Sequence, residues 1–185
     1  LHCSPNHESI RFFNFTGDGF RGNAWKEKAS PEIVLGVELH RFIDHFTDQH
    51  NASKEAKSHL RLVARKTAPI ALDLLGDYFL HKHWSKMASL QSHTEHITVV
   101  EFIDMCTLEI EHNKKLLVGK AAGMWPWMKL EGWLVSYQNL KGIRRAALLL
   151  RCANCGAVYA VPWCWPTGAR AATFFHGQHK LPSTD

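Results

Sequence analysis

The sequence predicts an all-α protein, a single-domain helical bundle. Three observations carry that expectation: apolar residues recur at helical spacing, helix start and stop signals punctuate the chain, and strand-like alternation is scarce before residue 150. A chain of 185 residues, 45% of them hydrophobic, can bury one core and little more. A charged fraction of 21% without any dominant repeat excludes collagen-like, low-complexity and disordered classes.

Ser30, Pro31 and Glu32 supply a cap, a first-turn proline and a first-turn acid. They open a helix through Ile33, Val37, His40, Asp44 and Phe46 to about Asp48. Ser53 is placed to cap a second helix through Leu60 and Val63, which stops before Pro69 because the residue preceding a proline avoids the helical region. Pro69 starts a third, running through Ile70, Asp73, Asp77, Leu80 and Trp84. Thr98 and Glu101 form a capping box for a fourth, with Val99, Phe102, Cys106 and Ile110 inward and an end near Gly119. Further helices are expected at 133–140 and 143–151, which makes 1–151 the helical domain. Residues 152–185 hold three cysteines, three prolines and two tryptophans without an apolar stripe, an irregular C-terminal tail of unassigned structure.

Twenty-two Lys and Arg against 17 Asp and Glu give +5, an excess that favours an acidic partner and falls short of what nucleic acid usually wants. The longest apolar run, Ala146 to Leu150, is far from the ~20 residues that cross a bilayer. The chain opens on Leu1 with no export pattern, so a cytoplasmic protein is expected, and its five scattered cysteines read as reduced thiols. Cys152 and Cys155 form a CxxC, but Cys164 and the distant His176 and His179 do not complete a convincing zinc set. Thirteen histidines raise the expectation of a metal or acid–base site.

His40 and Asp44 are four residues apart, as are Asp73 and Asp77, so each pair projects from one helical face. Val37 and Ile70 assign those faces to the core. An isolated buried carboxylate is costly, whereas carboxylates and an imidazole gathered around a divalent cation satisfy one another. Either pair alone also reads as an ordinary hydrogen-bonded pair. Two pairs on neighbouring helices point to a metal, with Mn, Fe or Zn suited to the mixed set and Mn or Mg to a carboxylate-rich one. A metal-activated water suggests hydrolysis of a phosphate ester. Lys54, Lys57, Arg61, Arg65 and Lys66 form a basic helix face, either solvated or meeting an acidic partner.

The strings GDGFRGN (Gly17 to Asn23), LHRFIDHFTD (Leu39 to Asp48), APIALDLLGDYFLHKHW (Ala68 to Trp84) and WMKLEGWLVSYQNLKGI (Trp127 to Ile143) resemble, in order, the acyl carrier protein phosphodiesterase family. The resemblance covers about residues 2–151. It implies a helical fold similar to HD-type metal phosphohydrolases, and a metal-dependent hydrolase that removes 4'-phosphopantetheine from the serine of holo acyl carrier protein. Mn2+ is the implied metal, with Mg2+ or Fe2+ as alternatives, and the implied partner is the strongly acidic, helical carrier protein. Asp18, His40, Asp44 and Asp77 match the metal ligands, Asp73 supports them, and Arg41 is placed to meet a phosphate oxygen. His2, Asp48, His83 and Trp84 also fall on motif positions. Tyr78 stands where the family has a histidine, and His81, one turn beyond Asp77, is the nearest imidazole on that face. Two other readings stay open: a relative that binds carrier protein or metal without catalysis, and a nucleotide phosphohydrolase.

Overall fold

The computed structural model describes residues 1–149, and the tail and CxxC readings lie outside them. The chain is all-α, with no strand among the described residues. In order the helices are α1 (Glu8–Phe15), α2 (Pro31–Gln49), α3 (Asn51–Ala64), α4 (Ala68–Lys82), α5 (Trp84–Ala88), α6 (Val99–His112), α7 (Gly119–Leu130), α8 (Trp133–Ser136) and α9 (Leu140–Leu149). None is long and apolar enough to cross a membrane.

Local signals place most boundaries within a few residues. Pro31 is in the first turn of α2, although the Ser30 side chain makes no capping bond. The α6 box forms in full: the Glu101 amide donates to Thr98 Oγ1 at 3.2 Å and the Thr98 amide to Glu101 Oε2 at 2.7 Å. The expected cap at Ser53 is corrected: α3 is capped three residues earlier, where His50 Nδ1 accepts from the Ala52 amide at 3.2 Å. The third expected helix breaks at His83, and Trp84 starts a new turn with its indole donating to the Ile97 carbonyl at 2.8 Å. The fourth ends at His112 rather than near Gly119, which instead opens α7 at φ +61°.

The helix α1 has no counterpart in the sequence reading, and its burial says why. Ile10, Arg11, Phe12, Phe13 and Asn14 are consecutive and all buried, so no stripe separates an inner from an outer face. Its polar members find partners inside: Arg11 donates to both Glu109 carboxylate oxygens at 2.7 Å, and Asn14 Nδ2 donates to Ser4 Oγ at 2.8 Å. The helix lies against α2 at Gly36, where an added Cβ would stand 2.7 Å from the Ile10 carbonyl oxygen and from Phe13 Cβ. That close approach holds α2, and with it His40, in register with the loop after α1.

The single core expected from length is corrected to three clusters. Phe12, Phe13, Val37, Ile110 and Trp125 join α1, α2, α6 and α7. Trp84, Ala88, Phe102 and Cys106 join α5 to α6, and Leu74 with Tyr137 ties α4 to the segment after α8. The C-terminal half of α2 leaves the first cluster behind, so Phe42 and Phe46 are exposed. Cys106 is 1% exposed and burial pushes its thiol up to about 11. In the native chain at pH 8 it should resist alkylation while the exposed Cys3 reacts. Equal labelling of the two by peptide mass mapping would show the second cluster to be open.

Candidate metal centre

The centre is assembled from three places in the sequence. After α1 a short 3-10 turn, Gly17–Gly19, carries Asp18. His40 and Asp44 lie one turn apart on α2, and Lys120 is the second residue of α7. His40 Nε2 is 3.3 Å from Asp18 Oδ1 and 3.3 Å from Asp44 Oδ2. One ligand atom from each of Asp18, His40 and Asp44 falls within 4.8 Å of the others. Lys120 Nζ is 3.4 Å from Asp18 Oδ2.

Glycine makes this approach sterically accessible. An added Cβ on Gly17 would stand 2.6 Å from His40 Cβ and Cγ, and one on Gly19 would stand 2.7 Å from the Val118 carbonyl carbon. The turn is thus wedged between α2 and the start of α7. Thr16, fully buried, fastens the second side: its hydroxyl accepts from the Val118 amide at 3.0 Å and donates to the Val118 carbonyl at 3.3 Å.

The carboxyls split in their electrostatics. Burial raises Asp18, but the His40 hydrogen bond and the Lys120 charge outweigh it and hold the group below the usual range. Burial and the charges of Asp18 and Asp48 push Asp44 up against the pull of His40. The buried-face expectation for α2 is corrected, because the Asp44 side chain is 61% exposed and the centre opens on the surface. An imidazole and two carboxylates converging at such spacing suit a divalent cation of the Mn, Fe, Zn or Mg kind, with positions left for water and an anionic ligand.

A family model described as acyl carrier protein phosphodiesterase matches residues 1–151. The chain belongs to that family. It is 31% identical over 140 residues to the acyl carrier protein phosphodiesterase of Yersinia enterocolitica serotype O:8, covering 76% of this chain and 69% of that protein. The proteins of that name from Escherichia coli K12 and Shigella boydii serotype 18 are 39% identical over 88 residues, 48% of this chain and 45% of each. No solved structure matches the chain.

The family motifs do not all meet at this centre. Asp73 on α4 stands near it: burial raises its carboxyl, Lys57 lowers it, and the charges of Asp44 and Asp48 raise it further. Asp77 lies apart, lining an apolar cavity with His2, His81, Trp84, Cys106 and Tyr137. Four residues advance a helix by about 6 Å and turn it by about 40°, enough to carry Asp77 away from Asp44. Tyr78 packs edge-on against Phe79, with Lys82 over its ring. His81 turns into the cavity, its Nδ1 without a hydrogen-bond partner among the described residues.

Arg41, expected to meet a phosphate oxygen, is engaged within the chain. Its guanidinium donates to the carbonyls of Phe20 at 2.8 Å and Gly22 at 2.9 Å, to Asn23 Oδ1 and to Glu38 Oε1, and lies over the Trp25 ring. Those acceptors engage both terminal nitrogens, so Arg41 pins the loop after Asp18 to α2. Sequence reasoning missed Lys120, which is 102 residues from Asp18 and carries no motif. Its only local signal is its place just after the Val118–Gly119 helix start.

Asp77 also predicts a pH dependence. Burial raises its carboxyl to about 6, above its unfolded value, so between roughly pH 4 and pH 6 the folded chain binds more protons than the unfolded one. Its contribution to stability therefore falls as pH rises through that window. Asp77→Asn should match the native chain below pH 4 and exceed it above pH 6 by about 1–3 kcal/mol, measured by urea unfolding. A difference that does not change between those limits would mean Asp77 is solvated.

Proposed function

We propose that the chain hydrolyses the phosphodiester between 4'-phosphopantetheine and the serine of holo acyl carrier protein, at a divalent cation held by Asp18, His40 and Asp44. Mn2+ is the first candidate, given the mixed imidazole and carboxylate set. The observation that carries this reading is the convergence of those three donors, from segments 22 residues apart, beside a cation at Lys120. The relatives, named acyl carrier protein phosphodiesterases, support the substrate. When bound, the cation would lower the pKa of a water and offset charge developing on phosphorus.

The residues divide the remaining work. Asp18, held ionised, and His40, through Nε2, bind the cation. Asp44 completes the set, with His40 fixed against Gly17. Arg41 keeps the Asp18 loop rigid. In the reaction a water oxygen bonds to phosphorus, the bond to the serine oxygen breaks, and that oxygen must take up a proton. Asp73, within electrostatic reach of Asp44 and outside the donor set, is the carboxyl of this cluster assigned to hold one. Lys120 replaces Arg41 as the cation facing a phosphoryl oxygen.

Holo carrier protein incubated with the chain and Mn2+ should lose its prosthetic group, read by intact mass. Retention of the group, with a small phosphodiester cleaved under the same conditions, would sink the carrier-protein reading. Lys120→Met should lower kcat about 10²-fold while leaving Mn2+ affinity at or above the native value, since it removes a competitor for Asp18. An unchanged kcat would exclude Lys120 from the phosphoryl site.

A further inference from the structure

The basic helix face divides in two. Residues 50–69 carry Lys54, Lys57, Arg61, Arg65 and Lys66 against one acid, Glu55; Lys57 and Arg61 lie one turn apart on α3, and Arg65 closes the helix just after Ala64. Lys57 is engaged: it pairs with Asp48 at the end of α2, and its charge acts on Asp73. Arg61, Arg65 and Lys66 are exposed, have no acidic partner among the described residues, and line a shallow open cleft with Pro69. Between the arginines, Leu62 is 82% and Val63 79% exposed.

Three unneutralised cations around two exposed aliphatic side chains are a poor surface to leave in water, but they complement an acidic helix with an apolar ridge. The openness of the cleft argues against a small anion, which needs enclosing donors, and the aliphatic pair argues against a nucleic-acid backbone. The surface also borders the candidate metal centre, because Lys57, one turn before Arg61 on α3, and Asp44 of the centre both act on Asp73. We propose that Arg61, Leu62, Val63, Arg65 and Lys66 form the docking surface for an acidic amphipathic helix of the carrier protein. This rests on the substrate reading above.

The test is anisotropy of fluorescently labelled holo carrier protein titrated with the full chain in EDTA, which prevents turnover. Native binding should weaken steeply from low to physiological salt, because exposed charges are screened over about 10 Å. Arg61→Glu with Lys66→Glu should weaken it at least about tenfold and flatten the salt dependence. Arg65, which closes α3 at a φ of +49°, is left native so that the end of the helix is unchanged. Leu62→Ser should weaken binding while keeping the native salt dependence. Native circular dichroism and Mn2+ affinity in both variants establish that they are folded. Native binding with unchanged affinity in the charge-reversed variant overturns the docking surface and leaves the substrate reading standing. A native chain that binds no carrier protein overturns both.

Discussion

Asp44→Ala should abolish Mn2+ binding by calorimetry and reduce phosphodiester hydrolysis by about 10³-fold or more, with helical circular dichroism unchanged. The expectation follows from its position. Asp44 supplies one of three converging donors, and a bound cation contributes several kcal/mol of transition-state stabilisation. Its side chain is 61% exposed and joins none of the core clusters, so truncation leaves no cavity behind. Gly17→Ala should give the same loss of metal affinity without altering any donor, because the new Cβ would stand 2.6 Å from His40 Cβ and Cγ and push the ring away from Asp18. Equal Mn2+ affinity in native chain and Asp44→Ala would refute the assignment of the centre.

The largest effect on stability is expected at Arg11, far from the metal. Arg11→Leu should cost about 3–5 kcal/mol, since it strips the partner from Glu109, whose side chain is only 14% exposed. In a chain of this size that lowers Tm by roughly 10 °C or more. Both Arg11–Glu109 bonds are 2.7 Å and the Arg11 side chain is 2% exposed, so water cannot replace them. Arg11→Leu combined with Glu109→Leu should recover much of the loss, because the unpaired charge and not the missing pair is the main penalty. A Tm for Arg11→Leu within a degree or two of native would show that the pair is solvated.

Both predictions turn on polar groups whose burial differs from what helical periodicity implies. Val37 and Ile70, each a turn before a pair of ionisable residues, assign those faces of α2 and α4 to the core by periodicity. Val37 is buried, but α2 runs on past the core, so one turn later His40 is at its edge and Asp44 beyond it. The buried ion pair is instead on α1, a segment whose unbroken burial erases the periodicity that sequence reading depends on.

The sequence by itself determined the all-α class, the start of α2 and the capping box of α6, the His40–Asp44 pair, and the family, through motifs matched over residues 1–151. Each of these is local: capping, helical spacing and motif order are fixed by residues a turn or two apart. Tertiary structure alone decided that Asp77 faces a cavity while Asp18, His40 and Asp44 converge, that Arg41 ties the loop after Asp18 to α2, and that Lys120 and Glu109 meet residues about a hundred positions away. Such contacts depend on how helices cross, and the crossings are set by close approaches at Gly36, Gly17 and Gly19 that leave no periodic trace in the chain.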